Sequence, residues 1–168
     1  MGRIPISGIQ PFEAKRKMYQ IVRCSPEHRI SGTFLCREVA GFCTHWIDER
    51  TVECVDRPNC DCDTRCPFCA GGSRKRWAGY FAYFCRQIGR VQIGEAPAGT
   101  VWHGDTAPDP KHGLRGIVFH QYRMGQSPRS RVGITLAGID RENLPPSIDV
   151  ETEVRRIINA AGSRRPAM

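Results

Sequence analysis

Apolar and polar positions alternate in short runs over most of the chain, which predicts strands rather than helices. The first run, 19–24, is followed after Ser25-Pro26 by 29–39. There Ile30, Phe34 and Cys36 alternate with polar residues, and Gly32 marks a bulge or sharp bend. Residues 42–47 and 50–55 read as a hairpin, and the longest strand spans 76–88, with 90–93 returning after Gly89. Glycines and the turns at Pro97, Pro108 and Pro110 predict mostly loop over 94–114. A second hairpin covers 116–124 and 131–139 around the turn GQSPRS. Only the C-terminal stretch has helical spacing, with Val150, Val154, Ile157, Ile158 and Ala161 on one face. Ser147 or Asp149 can cap its start, Glu151 and Glu153 complement its dipole, and Gly162 can end it. Seven or so short strands with one terminal helix predict a small barrel or sandwich.

The length of 168 residues suits one domain, placed at 19–162 between flexible segments at 1–18 and 163–168. No apolar run approaches the ~18–20 residues needed to cross a bilayer. The opening MGRIPISGIQPFEAKRK holds no uninterrupted apolar stretch of the kind a signal peptide needs, so a soluble, cytoplasmic protein is expected. Charge adds more. The chain carries 25 basic and 17 acidic residues, and two segments without a single acid, 74–90 and 115–139, hold +5 and +4. Such segregation builds the local positive field that a polyanion requires. The plain alternative is a solvated face in an arginine-rich chain, which explains Arg over Lys but not the missing acids.

Nine cysteines are present, and five fall within sixteen residues: Cys54, Cys60, Cys62, Cys66 and Cys69. In a reducing compartment a cluster this dense points to a metal rather than to disulfides. Cys66-Pro67-Phe68-Cys69 places two thiolates on one tight turn, at adjacent vertices of a tetrahedron. Cys54, leaving the preceding strand, and His45, on the strand paired with it, complete the set. The rival set replaces His45 with Cys60 or Cys62. Either gives one structural Zn2+ in a knuckle at 54–72, with no position open for water. The same C-P-F-C resembles a glutaredoxin redox motif, but the following AGGSRKRW starts no helix. A zinc deaminase needs H-x-E, which no histidine here provides. Cys24, Cys36, Cys43 and Cys85 read as small core residues.

Directly after the knuckle comes RKRWAGYFAYFCR. Strand alternation puts Trp77, Phe81, Tyr83 and Cys85 on one side, which suits a core, and Arg76, Tyr80, Phe84 and Arg86 on the other. Bare aromatics between guanidinium groups offer platforms for stacked bases. The competing reading is a strand buried on both sides. The second basic segment repeats the theme with Arg115, Tyr122, Arg123, Arg129 and Arg131, on a hairpin able to close over a strand. No basic helix is available for the major groove.

His45, Cys54, Cys66 and Cys69, set in short strands and followed by RKRWAGYFAYF, resemble the zinc-bearing OB-fold single-stranded DNA-binding proteins of T4-type phages. The resemblance covers about residues 40–90, with Cys60 and Cys62 as additions. It implies a structural zinc beside an aromatic, basic cleft, and replication or recombination proteins as further partners. The expected fold is therefore mainly β: a small OB-like barrel of short antiparallel strands with a zinc-knuckle insertion and one C-terminal helix. The expected function is non-enzymatic binding of single-stranded nucleic acid. Arg74, Lys75, Arg76, Arg86, Arg115, Arg123, Arg129 and Arg131 would meet phosphates, and Trp77, Tyr80, Phe84 and Tyr122 would stack on bases. The other reading is a zinc-ribbon adaptor whose basic faces dock an acidic protein. A strong salt dependence of nucleic-acid affinity separates the two.

Overall fold

The computed structural model describes residues 19–54 and 66–163, with side chains through 160. The expected flexible arm at 1–18, the end of the chain beyond 163, and Cys60 and Cys62 lie outside the described residues. The fold is mainly β, as the alternation predicts, with nine strands and one long C-terminal helix. The strands are β1 (Ile21–Val22), β2 (Ile30–Phe34), β3 (Ala40–Ile47), β4 (Arg50–Glu53), β5 (Arg76–Cys85), β6 (Arg90–Pro97), β7 (Val101–Gly104), β8 (Ile117–Arg123) and β9 (Val132–Ile139). A single helical turn, α1 (Pro67–Ala70), follows the cysteine loop, and α2 (Val150–Ser163) ends the described chain.

All nine strands join one sheet in the order β1-β6-β5-β2-β8-β9-β7, with β3 paired to β5 and β4. Most neighbours are antiparallel, as expected, but β1–β6 and β7–β9 run parallel. The ten-residue β5 organises the rest. Its first half pairs with β3 and its second half with β2, while β6 covers its other edge throughout. The sheet thus divides around β5, as a barrel-like domain requires.

Two departures from the alternation pattern stand out. Residues 94–97 and Val101–Gly104 are strand rather than loop, despite their glycines and prolines. Gly94 belongs in β6 because the Phe81 ring lies across it. A Cβ there would sit 2.4 Å from two ring carbons. β2 ends at Phe34, five residues before the predicted end.

The core gathers between the strands. Phe34 meets Phe119 at 4.4 Å and Phe81 at 5.0 Å between ring centroids, and Phe81 meets Phe119 edge-on at 5.2 Å. Such pairs add to the burial of their large apolar area. Asp149 is the residue that caps α2, accepting from the Thr152 N–H at 3.1 Å and its hydroxyl at 2.7 Å. Val150, Val154 and Ile158 are buried, and α2 packs against β4 and β5. On that side of β5, Arg155 lies 5.4 Å over the Phe42 ring and Phe42 meets Tyr80 edge-on.

Candidate functional site

The β3–β4 hairpin turns tightly at Asp48 and Glu49, both with positive φ, so that His45 pairs with Val52 and Thr44 with Glu53. The Cys54 N–H donates to the Cys43 carbonyl at 2.8 Å, carrying the ladder one residue further. These bonds bring His45 and Cys54 to one end of the hairpin. Cys66 stands just before α1 and Cys69 within it, and Pro67 occupies the first helical position, where no N–H is needed.

The four donor atoms lie within 4.8 Å of one another. Nε2 of His45 is 3.6 Å from Sγ of Cys66 and 3.4 Å from Sγ of Cys69, and the Cys54 and Cys69 sulfurs are 3.7 Å apart. A tetrahedron with metal–sulfur bonds of ~2.3 Å and metal–nitrogen bonds of ~2.0–2.1 Å has edges of about 3.8 Å between sulfurs and about 3.6 Å from nitrogen to sulfur. The three separations match those edges. All three cysteines are free of disulfides, and His45, Cys54 and Cys66 are buried. Burial and the neighbouring Cys54 and Cys66 thiols push the Cys69 thiol up to about 12. Burial and the neighbouring thiols thus favour the protonated form of Cys69, and a bound cation would offset the crowding of thiolates. Nδ1 of His45 is buried without a hydrogen bond among the described residues. Cys43 packs behind Cys54 and Cys66 but is not one of the four donors.

The aromatic residues predicted on β5 are arranged differently from the expectation. Tyr80, read as an open platform, is 1% exposed, and burial pushes its phenol above the ordinary tyrosine value. Its side of the strand carries Phe42 and receives α2, which leaves only a sliver of it at the wall of a cavity that Trp46 and Trp77 also line. Trp77, placed by alternation on the core side, is 42% exposed. It lies at the end of β5, beyond the core, over Gly41, where a Cβ would meet the indole nitrogen at 2.8 Å. Phe81 and Tyr83 are core, as expected. Phe84 is half-buried, with the Arg86 guanidinium 5.6 Å from its ring.

Several predicted phosphate contacts are instead clamps. Arg86 pairs with Asp140 at 2.6 Å and donates to the Glu142 carbonyl. Arg115 donates to the carbonyls of Leu35 and Pro145, both at 2.8 Å. Arg123 donates to those of Cys24 and Ser130. Arg74, Arg76, Arg129 and Arg131 are exposed, and none has an ion pair among the described residues. Lys75 is half-buried, and Tyr122 is half-buried with its hydroxyl 2.7 Å from Nε2 of His103. The two basic segments stay apart, since β2 separates β5 from β8.

Two cavities open where β3, β5 and β6 end. The first, about 540 Å³, is mostly apolar, with Trp77 and Trp102 on its walls and Arg37 at its rim. The second, about 320 Å³, is lined by Trp46, Arg23 and Arg76. Trp77 and Pro97 line both. Every tryptophan of the chain therefore stands at this edge, with Trp46 53% and Trp102 40% exposed. Trp46 and Trp102 escaped the sequence reading because Trp46 neighbours a metal ligand and Trp102 lies in a stretch that reads as loop. The one signal was their setting among polar residues, Thr44-His45-Trp46 and Trp102-His103. The fold and site define a small, mainly β protein in which one histidine and three cysteines stand close enough to hold a metal ion. No family model matches the chain, and neither a curated protein nor a solved structure matches it. No helix among the described residues is long and apolar enough to cross a membrane.

Proposed function

We propose that this protein binds single-stranded nucleic acid along the tryptophan-lined edge, and that His45, Cys54, Cys66 and Cys69 hold one structural Zn2+. The reading is carried by the exposure of all three indoles at adjoining cavities. Tryptophan is ordinarily among the most buried residues on average, so three half-exposed copies at one edge need a ligand to explain them. Planar bases stack on indoles at roughly 1–3 kcal/mol each, whatever their sequence. Arg74 and Arg76, without an ion pair among the described residues, lead into Trp77, and Arg37 stands at the first cavity, which suits a chain of phosphates better than an uncharged partner; Arg23, at the second, is paired with Glu95 at 2.7 Å.

Zinc fits the donor chemistry. One imidazole and three thiolates in a compact set suit a borderline-soft cation and not Mg2+ or Ca2+. Four protein donors fill a tetrahedral shell, so the ion would brace rather than catalyse. What it braces follows from the chain. β3 carries His45 and Trp46 side by side, and the knuckle leads through Arg74 and Arg76 into Trp77. The protein would act in the cytoplasm, with DNA as the strand that the phage-protein resemblance implies and replication or recombination proteins as further partners.

Intrinsic fluorescence reads the proposal directly. Titration with an unlabelled single-stranded oligonucleotide should quench the tryptophans, and log affinity should fall with log salt by about 0.7 per phosphate contact, or about 2.1 if Arg37, Arg74 and Arg76 engage. Quenching absent at low salt, or affinity indifferent to salt, overturns it in favour of protein docking.

A further inference from the structure

A second surface lies on the outward side of β2, β8, β9 and β7, the last of which also carries Trp102 of the tryptophan edge. Register sets it out in rows. Ser31 stands opposite His120, His120 opposite Thr135, and Thr135 opposite His103, one residue from each of four strands. In the next row Tyr122 stands opposite Gly133. Directly opposed residues share a face. Both histidines are exposed, and each is held by hydroxyls on one ring nitrogen. Oγ of Ser31 is 2.8 Å from Nδ1 of His120. The Tyr122 hydroxyl and Oγ1 of Thr135 are each 2.7 Å from Nε2 of His103. The other nitrogens, Nε2 of His120 and Nδ1 of His103, have no partner among the described residues. Gly133 leaves room for the Tyr122 ring, which a Cβ there would meet at 2.8 Å.

Cations border this array. The Arg29 guanidinium lies 5.9 Å from the Tyr122 ring, and Arg131 precedes β9 with its carbonyl bonded to the Met124 N–H. Both are exposed without a carboxylate partner among the described residues. No acid occupies either row. Glu27 and Asp105 lie two residues beyond Arg29 and His103, and Glu27 accepts from the Ser25 hydroxyl.

We propose that this face binds the phosphodiester backbone of a nucleic-acid strand, as a contact region separate from the tryptophan edge. The chemistry is that of phosphate: two imidazoles whose hydroxyl-bonded nitrogens leave the opposite ring N–H groups as donors, flanked by two guanidinium groups without a carboxylate partner among the described residues and beside rows that hold no acid. The row crosses four adjacent strands, which suits a backbone lying across them. The proposal rests on the nucleic-acid reading above and extends it to a second surface.

The test compares the wild-type protein with the double variant Arg29→Ala/Arg131→Ala and with Trp77→Ala, using an oligothymidylate of about 20 nucleotides. Neither arginine is buried, and thermal melting checks that the double variant remains folded. Losing two phosphate contacts lowers the salt slope by about 1.4, so between 50 and 200 mM salt the wild type should lose about sevenfold more affinity than the double variant. Tryptophan quenching at saturation should be unchanged in that variant, while Trp77→Ala should weaken binding with the slope kept. An unaltered slope in Arg29→Ala/Arg131→Ala, with binding still weakened by Trp77→Ala, overturns the second surface and leaves the tryptophan edge standing. A wild-type protein that binds no oligonucleotide at low salt overturns both.

Discussion

At the scale of single residues, β5 shows how little separates a core aromatic from a surface one. Trp77 and Tyr80 lie three positions apart on the same strand, yet one is half-exposed and the other has 1% of its surface open. The difference predicts opposite phenotypes. Trp77→Ala should weaken oligonucleotide affinity by roughly 1–3 kcal/mol, one stacked base, with melting nearly unchanged. Tyr80→Ala should cost about 3–5 kcal/mol of stability, the range for truncating a buried aromatic. Thermal melting and fluorescence titration of the two variants check this together. Equal destabilisation by both would place Trp77 in the core. Arg115 teaches the same lesson for charge. It stands in an acid-free basic segment, yet it ties Leu35, 80 residues away, to Pro145.

At the scale of elements, the loop before β8 is held by one carboxylate. Asp109 accepts from the backbone N–H groups of Lys111 and His112, and it pairs with the Arg141 side chain beyond β9. The His112 N–H, the His112 ring and the Arg141 guanidinium hold its carboxyl at about 2, below the ordinary 3.8. A depressed folded value means that the clamp stabilises above the unfolded pKa. That contribution disappears as pH falls through the folded one. Melting temperature should therefore drop between about pH 4 and pH 2 more steeply in the wild type than in Asp109→Asn, which lacks the titrating group. Parallel curves would show that the clamp adds nothing. The knuckle is a second such element. Cys66→Ser should abolish stoichiometric zinc in elemental analysis, and a zinc content equal to wild type would dismiss the four-residue set.

At the scale of the whole molecule, the buried residues form two clusters. One large core runs from Cys24 to Ile158, and a small one consists of Cys43, Cys54 and Cys66 with Phe68 and Cys69 beside it. The small cluster is built mostly of candidate metal ligands, so the proposed zinc would carry much of its stability. Chelation should therefore open β4, α1 and the end of β3 while the main sheet stays protected. Hydrogen exchange reads this directly, and uniform loss of protection would show one cooperative unit instead. Sequence alone settled what is local. Alternation at period two gave the mainly β class, helical spacing with an acidic first turn gave α2, and ligand types at hairpin and turn spacing pointed to Cys54, Cys66 and Cys69 with His45, leaving Cys60 or Cys62 as its rival. Tertiary structure decided which faces are covered. α2 lies on β4 and β5 and closes the side that carries Tyr80, while the strand ends around Pro97 leave three tryptophans open. Alternation assigns a residue to a side of its own strand, but what lies over that side is set by segments up to a hundred residues away, whose docking leaves no mark in the local pattern.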